Sequence, residues 1–369
     1  MISFKQSLGL IAISSIFLSF SACKRGFELD EPGTTAGNRF VGPTQGASWE
    51  LTFNSGDERY TLKKRAEPDS TTNTYELSGD VKELSSGYYK FDIESSKPDA
   101  VKDDSFFGIR LGKNTFILRP VENASDDLIP LVNVGECRSS DYQGNAFFLE
   151  RVGDATSETV SFLGELRYDV DEKKGSLNDG IALDDSFKAV NESSIDGGDC
   201  ADGIVKRSST DLYVGGDSAI VETDNGGYSR IVSIKSRSFV SLDRINGKYL
   251  GFLHRFSGME DLTYVTASCT DGTCNISRQD DPENPALDEN NYDLKLVNDG
   301  NLKLNTPLNG LVKGTFAVGG GSAEDGNAAC FFNEDIDSGG KETNKVLVCN
   351  AQATDDNTKM INLILVGDK

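Results

Sequence analysis

The segment WELTF, at residues 49–53, alternates large apolar side chains with polar ones. Trp49, Leu51 and Phe53 fall on one side of this alternation. A period of two is typical of a strand with one buried face, because successive side chains of a β-strand point to opposite faces of the sheet. We therefore predict a strand here, with these three side chains buried.

The same alternation recurs along the chain and defines the fold class. It appears in YKFDIE (89–94) and in two segments with hairpin turn signals (219–234 and 292–305). The apolar run INLILV (361–366) is a further strand signal. No stretch of about 12 residues or more combines a helical period with capping residues. The 38 glycines suit a chain with many turns. We therefore predict an all-β protein, built as sandwiches or up-and-down barrels.

Residues 1–22 have the three parts of a signal peptide. Lys5 lies near the start, residues 8–20 are mainly apolar, and the pair Ser21-Ala22 is small. The apolar run is shorter than the roughly 20 residues that a membrane-spanning helix needs. The sequence therefore predicts an exported chain rather than one with a permanent membrane span at its start.

The end of this leader and the next residue, FSAC (20–23), resemble the lipobox of bacterial lipoproteins, with Phe20 where leucine is usual. The resemblance implies cleavage before Cys23, a lipid on its sulfur and an acylated new N-terminus, which together hold a protein on a bilayer. Lys24 differs from the aspartate that retains many lipoproteins at the inner membrane, so the resemblance implies the outer membrane. The alternative is an ordinary secretory signal followed by an incidental cysteine.

Composition divides the remainder of the chain. Residues 23–46 have no apolar period and contain five glycines and two prolines, which predicts a flexible lipidated tether. About 320 residues follow, more than one core of ordinary size holds, so two antiparallel β domains are expected. We place them at residues 47–243, as one domain or two subdomains, and at residues 244–369, as a barrel or a sandwich.

The chain has seven cysteines, and six remain when Cys23 is set aside for the lipid. An even number in an exported chain predicts three disulfides. The segment CTDGTC (269–274) centres on Asp-Gly, the preferred pair for a type I′ hairpin turn. In that register Cys269 and Cys274 are opposite each other at about 4.5 Å between Cα atoms, within the range for a disulfide.

Two further pairings follow from spacing and elimination. Cys330 and Cys349 are equidistant from Gly339-Gly340, so a hairpin there places them opposite each other, and Glu334 opposite Lys345. A two-residue turn would make this the wider kind of strand pair, and a four-residue turn the closer kind. Cys137 and Cys200 then pair by elimination. Zinc binding is the rival interpretation, but CxxC pairs and neighbouring histidines do not occur.

The formal net charge is −22 at pH 7. A surface this acidic repels phosphate backbones, so we expect no nucleic-acid partner. The simplest explanation of the acidity is solubility.

Residues that could carry catalysis are few. His254 is the one histidine, in GFLHRF, and neither G-x-S-x-G nor H-E-x-x-H occurs. Asp335 and Asp337 lie in a D-x-D-x-G pattern that resembles part of a calcium loop, without the distal glutamate of an EF-hand. Such a fragment is more often a turn than a metal site. We therefore expect no catalytic residues and no resident cofactor beyond the lipid, with calcium at Asp335 and Asp337 as the alternative.

Three functions are compatible with these features. The first is a non-enzymatic, lipid-anchored envelope protein that presents a β-rich surface to an unidentified protein or small molecule. The second is a carrier of an apolar ligand, because a barrel of eight or more strands can enclose one. NGKY (246–249) resembles the G-x-W start of lipocalins, with Tyr249 in place of tryptophan. The third is an envelope hydrolase with two close carboxylates in an aromatic cleft.

Overall fold

A computed structural model describes the chain from residue 39 to residue 367, with gaps. The described residues are 39–44, 46–54, 58–66, 72–85, 87–97, 104–119, 128–135, 137, 141–151, 163–178, 180–181, 189–190, 193–195, 198–206, 210–223, 229–235, 241–256, 261–279, 283, 292–297, 311–318, 326–336, 342–353 and 360–367. They fold almost entirely as antiparallel β-strands, which confirms the predicted all-β class.

The first unit contains nine strands, eight of which pair in a closed ring. The strands are β1 (Arg39–Thr44), β2 (Ala47–Asn54), β3 (Arg59–Arg65), β4 (Asn73–Ser85), β5 (Tyr88–Asp92), β6 (Ser95–Lys97), β7 (Ser105–Leu111), β8 (Thr115–Arg119) and β9 (Ile129–Asn133). β1 to β5 pair in sequence order. β5 then pairs with β7, β7 with β8, β8 with β9, and β9 with β1, which closes the ring. β6 lies beside β4.

The interior of this ring is apolar and largely aromatic. Trp49, Leu51 and Phe53 are buried, as predicted from their alternation. They pack in one cluster with side chains from the other seven strands of the ring, for example Tyr60, and Phe91 stacked on Phe106 with ring centroids 4.7 Å apart. Because side chains from all eight strands contact one another, this cluster fills the ring.

β1 lies within residues 23–46, which were predicted as tether, so that prediction is wrong for residues 39–44. Gly42 and Pro43 interrupt the apolar alternation and hide the strand in the sequence. Gly42 is required by close packing, because a Cβ there would lie 1.8 Å from the Pro130 carbonyl oxygen of β9. Trp49 Nε1 donates to Thr44 Oγ1 at 3.2 Å. Residues 23–38 lie outside the described part of the chain.

Among the described residues, the middle unit is an open sheet of nine strands. Its strands are β10 (Tyr142–Arg151), β11 (Leu163–Asp169), β12 (Lys174–Asn178), β15 (Ser193–Ile195), β16 (Cys200–Ala201), β17 (Ile204–Val205), β18 (Thr210–Gly215), β19 (Ser218–Thr223) and β20 (Ser229–Lys235), with β13 (Gly180–Ile181) and β14 (Ala189–Val190) paired separately. The order is β15-β12-β11-β10-β20-β19-β18-β17-β16. The first and last long strands pair, and the two edges are β15 and β16, which are consecutive in sequence. We call the gap between these two edges the seam.

The third unit is a closed eight-stranded barrel in which each strand pairs with the next and β28 pairs with β21. Its strands are β21 (Gly247–Phe256), β22 (Asp261–Thr270), β23 (Thr273–Gln279), β24 (Tyr292–Val297), β25 (Leu311–Val318), β26 (Gly326–Ile336), β27 (Glu342–Ala353) and β28 (Met360–Gly367). Of the two architectures expected for residues 244–369, the barrel is therefore the one found.

One hairpin predicted in this unit differs. β24 forms the first half of the segment 292–305, but its next partner is β25, with Val297 opposite Lys313. The other edge of β24 is taken by β23. Residues 298–305, the turn signal and second half of this predicted hairpin, lie outside the described residues.

A short helical segment separates the last strand of the middle unit from the first strand of the barrel. A four-residue 3-10 helix at Leu242–Ile245 precedes β21. Residues 47–243 contain strands of two separate nine-stranded sheets and the small β13–β14 pair. In the described segments, no helix is both long and apolar enough to cross a bilayer.

The three units share one hydrophobic core in addition to their own. The outer face of the first ring contributes Tyr88 and Phe107, the middle sheet contributes Phe147 and Val232, and the barrel contributes Phe252, among others. Tyr88 and Phe252 have ring centroids 6.5 Å apart across this junction. Strands that are apolar on both faces, such as β28, serve the barrel interior with one face and the shared core with the other.

Candidate functional site

A cavity of about 370 Å³ lies in the middle unit, lined by residues of β11 on one side of the strand order and of β16 to β18 on the other. One wall comes from β11 and the turn that follows it, with Tyr168 and Val170. Another wall comes from β17 and β18, with Val205 and Val214. The Cys137–Cys200 disulfide also lines the cavity, with its two Cα atoms 5.9 Å apart. The cavity therefore combines apolar walls with a disulfide.

An ion pair links the two sides of this cavity. Lys173, in the β11–β12 turn, places its Nζ 2.7 Å from Asp199 Oδ1, in the segment just before β16. A hydrogen bond and charge attraction from Asp199 raise the pKa of Lys173, and the same contacts lower the pKa of Asp199. Both side chains are exposed, so solvent screens the pair and it adds little stability. It does show that the β11–β12 turn lies beside the segment that leads into β16.

In contrast to this exposed ion pair, one charged side chain is buried at the junction of the three units. Arg230 of β20 is fully buried, and its Nη1 donates to the Leu128 carbonyl at 2.6 Å and to the Pro43 carbonyl at 3.5 Å. Both carbonyls belong to the first unit. A buried cation needs such partners, since loss of hydration is otherwise not compensated. Arg230 thus fastens the middle sheet to the first ring.

His254 of β21 belongs to the same junction. Burial, and then the positive charge of Arg230, lower its pKa to about 4, although a hydrogen bond with the backbone of Leu149 acts in the opposite direction. The neighbouring Asn362 donates to the Leu149 carbonyl at 3.4 Å and accepts a hydrogen bond from Asn350. Burial and Arg230 therefore keep His254 neutral at pH 7, and its neighbours place it between the barrel and the middle sheet.

All three predicted cysteine pairings are confirmed. Cys269 and Cys274 are opposite each other across the Asp271-Gly272 turn, with Cα atoms 4.0 Å apart. Asp271 and Gly272 both have positive φ, as a type I′ turn requires. These two cysteines pack inside the barrel.

The longer hairpin has the predicted register as well. Cys330 is opposite Cys349 and Glu334 is opposite Lys345. The Cα atoms of the two cysteines are 4.0 Å apart, which is the closer of the two kinds of strand pair considered. This disulfide also lies in the barrel interior.

Other predicted site residues lie wholly or partly beyond the described residues. Cys23, the predicted lipidation site, is outside them, and so is Asp337 of the calcium alternative. Asp335 falls in β26, opposite Asn344 and next to a register shift, rather than in an open loop. In the part of the chain that the structure describes, no three His, Cys, Asp or Glu side chains are grouped to hold a metal ion.

Sequence reasoning missed Arg230 and the Lys173–Asp199 pair. Arg230 occupies one position in an otherwise apolar strand, SRIVSIK, and nothing in that segment shows that its guanidinium is buried. Lys173 and Asp199 are 26 residues apart, and only the tertiary structure brings their segments together. The predicted disulfide places Cys200, next to Asp199, beside Cys137, but it gives no signal for Lys173.

Fold and sites together define an all-β protein of two closed β-rings and one open sheet around a shared core. No protein-family model matches the chain, and a comparison with curated proteins finds no similar sequence.

Proposed function

We propose that this chain is a lipid-anchored protein of a bacterial envelope that acts by presenting its folded surface to a partner. The leader at residues 1–22 and the lipobox-like FSAC support export and a lipid on Cys23. Lys24 supports the outer membrane. The acidic surface favours a protein or small-molecule partner over nucleic acid.

One observation carries the choice of a surface over an internal site. The interiors of the first ring and of the barrel are filled by their own side chains. In the barrel these include Tyr249, Tyr292, Phe316 and both disulfides. Filled interiors leave the outside of the molecule for recognition. His254 points to the same conclusion, because a histidine buried against Arg230 and Leu149 is not positioned to activate a nucleophile.

The anchor is tested by replacing Cys23→Ser in the producing bacterium. We expect the protein to leave the membrane fraction or to remain unprocessed, because the acyl chains supply the membrane affinity. The measurement is fractionation followed by intact mass analysis. Lys24→Ser is the matched control and should stay lipidated. Unchanged membrane association and mass in the Cys23→Ser variant would refute the anchor.

The non-enzymatic part has its own test. Purified protein is assayed against a broad hydrolase panel, and we expect no turnover. Activity that survives purification and disappears with one point substitution would replace this proposal with the hydrolase alternative.

A carrier for an apolar ligand is the second candidate. The closed eight-stranded barrel is the architecture that such carriers use, whereas the side chains that fill this barrel's interior count against a bound ligand. Tyr249 does lie inside the barrel, at the position of the lipocalin tryptophan, and donates to the Ile245 carbonyl at 2.6 Å. Native mass spectrometry of protein from its host distinguishes the candidates: a co-purifying lipid or small molecule would support the carrier.

A further inference from the structure

The three disulfides differ sharply in their access to solvent. The four barrel cysteines, Cys269, Cys274, Cys330 and Cys349, are at most 2% exposed. Cys137 is exposed and Cys200 is partly buried. Exchange between a thiol and a disulfide requires the attacking sulfur to reach one sulfur of the bond along its axis, so access controls the rate. Only the Cys137–Cys200 bond, of these three, is open to attack in the folded protein.

The cavity at the seam gives that attack a place to occur. It has room for a small group beside the disulfide, and Tyr168, Val205 and Val214 give it apolar walls. The Lys173 ammonium lines the same cavity as Cys200 and is paired with Asp199, the residue that precedes Cys200. Cys137 is the more exposed end of the bond and so the sulfur open to attack, and an ammonium that lines the cavity favours a thiolate released on Cys200.

We propose that Cys137–Cys200 is a thiol–disulfide exchange site that accepts electrons from a dithiol reductant through the cavity at the seam. One thiolate of the reductant attacks the Cys137 sulfur, forms a mixed disulfide with it and releases Cys200 as a thiolate. The second thiol of the reductant, once deprotonated, attacks the reductant's first sulfur, which is bonded to Cys137 in the mixed disulfide. The reductant leaves as a disulfide, and Cys137 leaves as a thiolate. Two electrons pass to the protein, and each thiolate takes a proton from water.

Reduction would release one edge of the middle sheet. Cys200 belongs to β16, which makes two backbone pairs with β17, Cys200 with Val205 and Ala201 with Ile204. The disulfide fixes this short edge to Cys137, which precedes β10. Without the bond, β16 keeps those two pairs and the exposed Lys173–Asp199 contact, so the seam becomes the part of the unit that opens. Opening of the seam by reduction goes beyond the proposed anchor and surface function and does not depend on either.

The test uses the full folded chain with dithiothreitol as the dithiol. Samples are quenched with iodoacetamide over time, and peptide mass spectrometry follows each cysteine. We expect Cys137 and Cys200 to be alkylated at least roughly 100-fold faster than the four barrel cysteines, which must wait for an opening of the barrel. Similar rates for all six, or faster labelling in the barrel, would overturn the proposal.

The direction of attack is tested with glutathione, a monothiol. The mixed disulfide is expected on Cys137, with Cys200 free to be alkylated. Glutathione found mainly on Cys200 would overturn the assignment of Cys137 as the attacked sulfur.

Two variants test the role of the ammonium. Lys173→Met and Asp199→Asn both break the ion pair across the seam, but only the first removes the cation. We expect exchange in Lys173→Met to be several-fold slower than in Asp199→Asn, because Cys200 then leaves without a neighbouring positive charge. Equal rates, or a faster Lys173→Met variant, would exclude Lys173 from the step.

Discussion

His254 shows how one buried residue can make stability depend on pH. Its pKa is lowered from the ordinary 6.5 to about 4, first by burial and then by Arg230. The unfolded chain therefore binds a proton at a higher pH than the folded chain does. The stabilising effect of a neutral His254 is fully present above pH 6.5 and is lost as the pH falls from there towards 4.

This behaviour gives a prediction with an internal control, because the chain has one histidine. We expect the free energy of unfolding to lose about 3 kcal/mol between pH 7 and pH 4 through His254 alone. His254→Gln should lose less over the same interval, whatever its stability at pH 7. Urea denaturation at several pH values measures both slopes. Equal slopes for the two proteins would contradict the assignment.

At the scale of elements, tight Asp-Gly turns set the strand registers. Asp271-Gly272 joins β22 to β23, and Asp202-Gly203 joins β16 to β17. All four residues have positive φ. The first turn was predicted from CTDGTC. The second has the same signal in CADGIV (200–205), but flanking strands of two residues give too short an alternation to identify from sequence.

Substitutions in the first turn should separate its two positions. Gly272→Ala should destabilise the oxidised protein by about 1–2 kcal/mol, because alanine disfavours a left-handed backbone. Its Cβ would also lie 3.0 Å from the Leu296 carbonyl oxygen. Asp271→Gly should change stability by less than about 1 kcal/mol, since relief of the positive φ offsets the added freedom of the unfolded chain. Chemical denaturation measures both, and the opposite order would argue against the turn.

At the scale of the whole molecule, the shared core couples the three units. Phe252 of the barrel contacts Tyr88 of the first ring and Tyr264 of its own unit. Arg119 of the first ring lies over the Tyr264 ring, 4.3 Å from its centroid. Loss of one unit would expose the apolar face of the others to water, so the units are expected to stabilise one another.

Calorimetry tests this coupling. We expect the oxidised protein to unfold in one transition, and Phe252→Ala to destabilise it by about 3–5 kcal/mol through the cavity left at the junction. Val297→Ala is the control, because that side chain is 51% exposed, and it should cost about 0.5 kcal/mol or less. Separate transitions, of which Phe252→Ala shifts one alone, would show that the units fold independently.

The sequence left Cys137–Cys200 to elimination, but by itself it determined the all-β class, the buried faces of many strands and the two cysteine pairings within hairpins. These are local properties, since alternation and turn residues act over a few positions and fix which side chains share a face. Even the long hairpin was predictable, because equal spacing from Gly339-Gly340 placed Cys330 opposite Cys349.

Only the tertiary structure decided which faces meet. Alternation shows that a strand buries one face but not what covers it. The closure of β1 on β9, the burial of Arg230 beside His254 and the shared core therefore had no local signal. The open seam also had no local signal. β15 and β16 are neighbours in sequence, yet among the described residues they form the two opposite edges of the sheet. Long-range packing, which no short segment encodes, placed a disulfide and a cavity there.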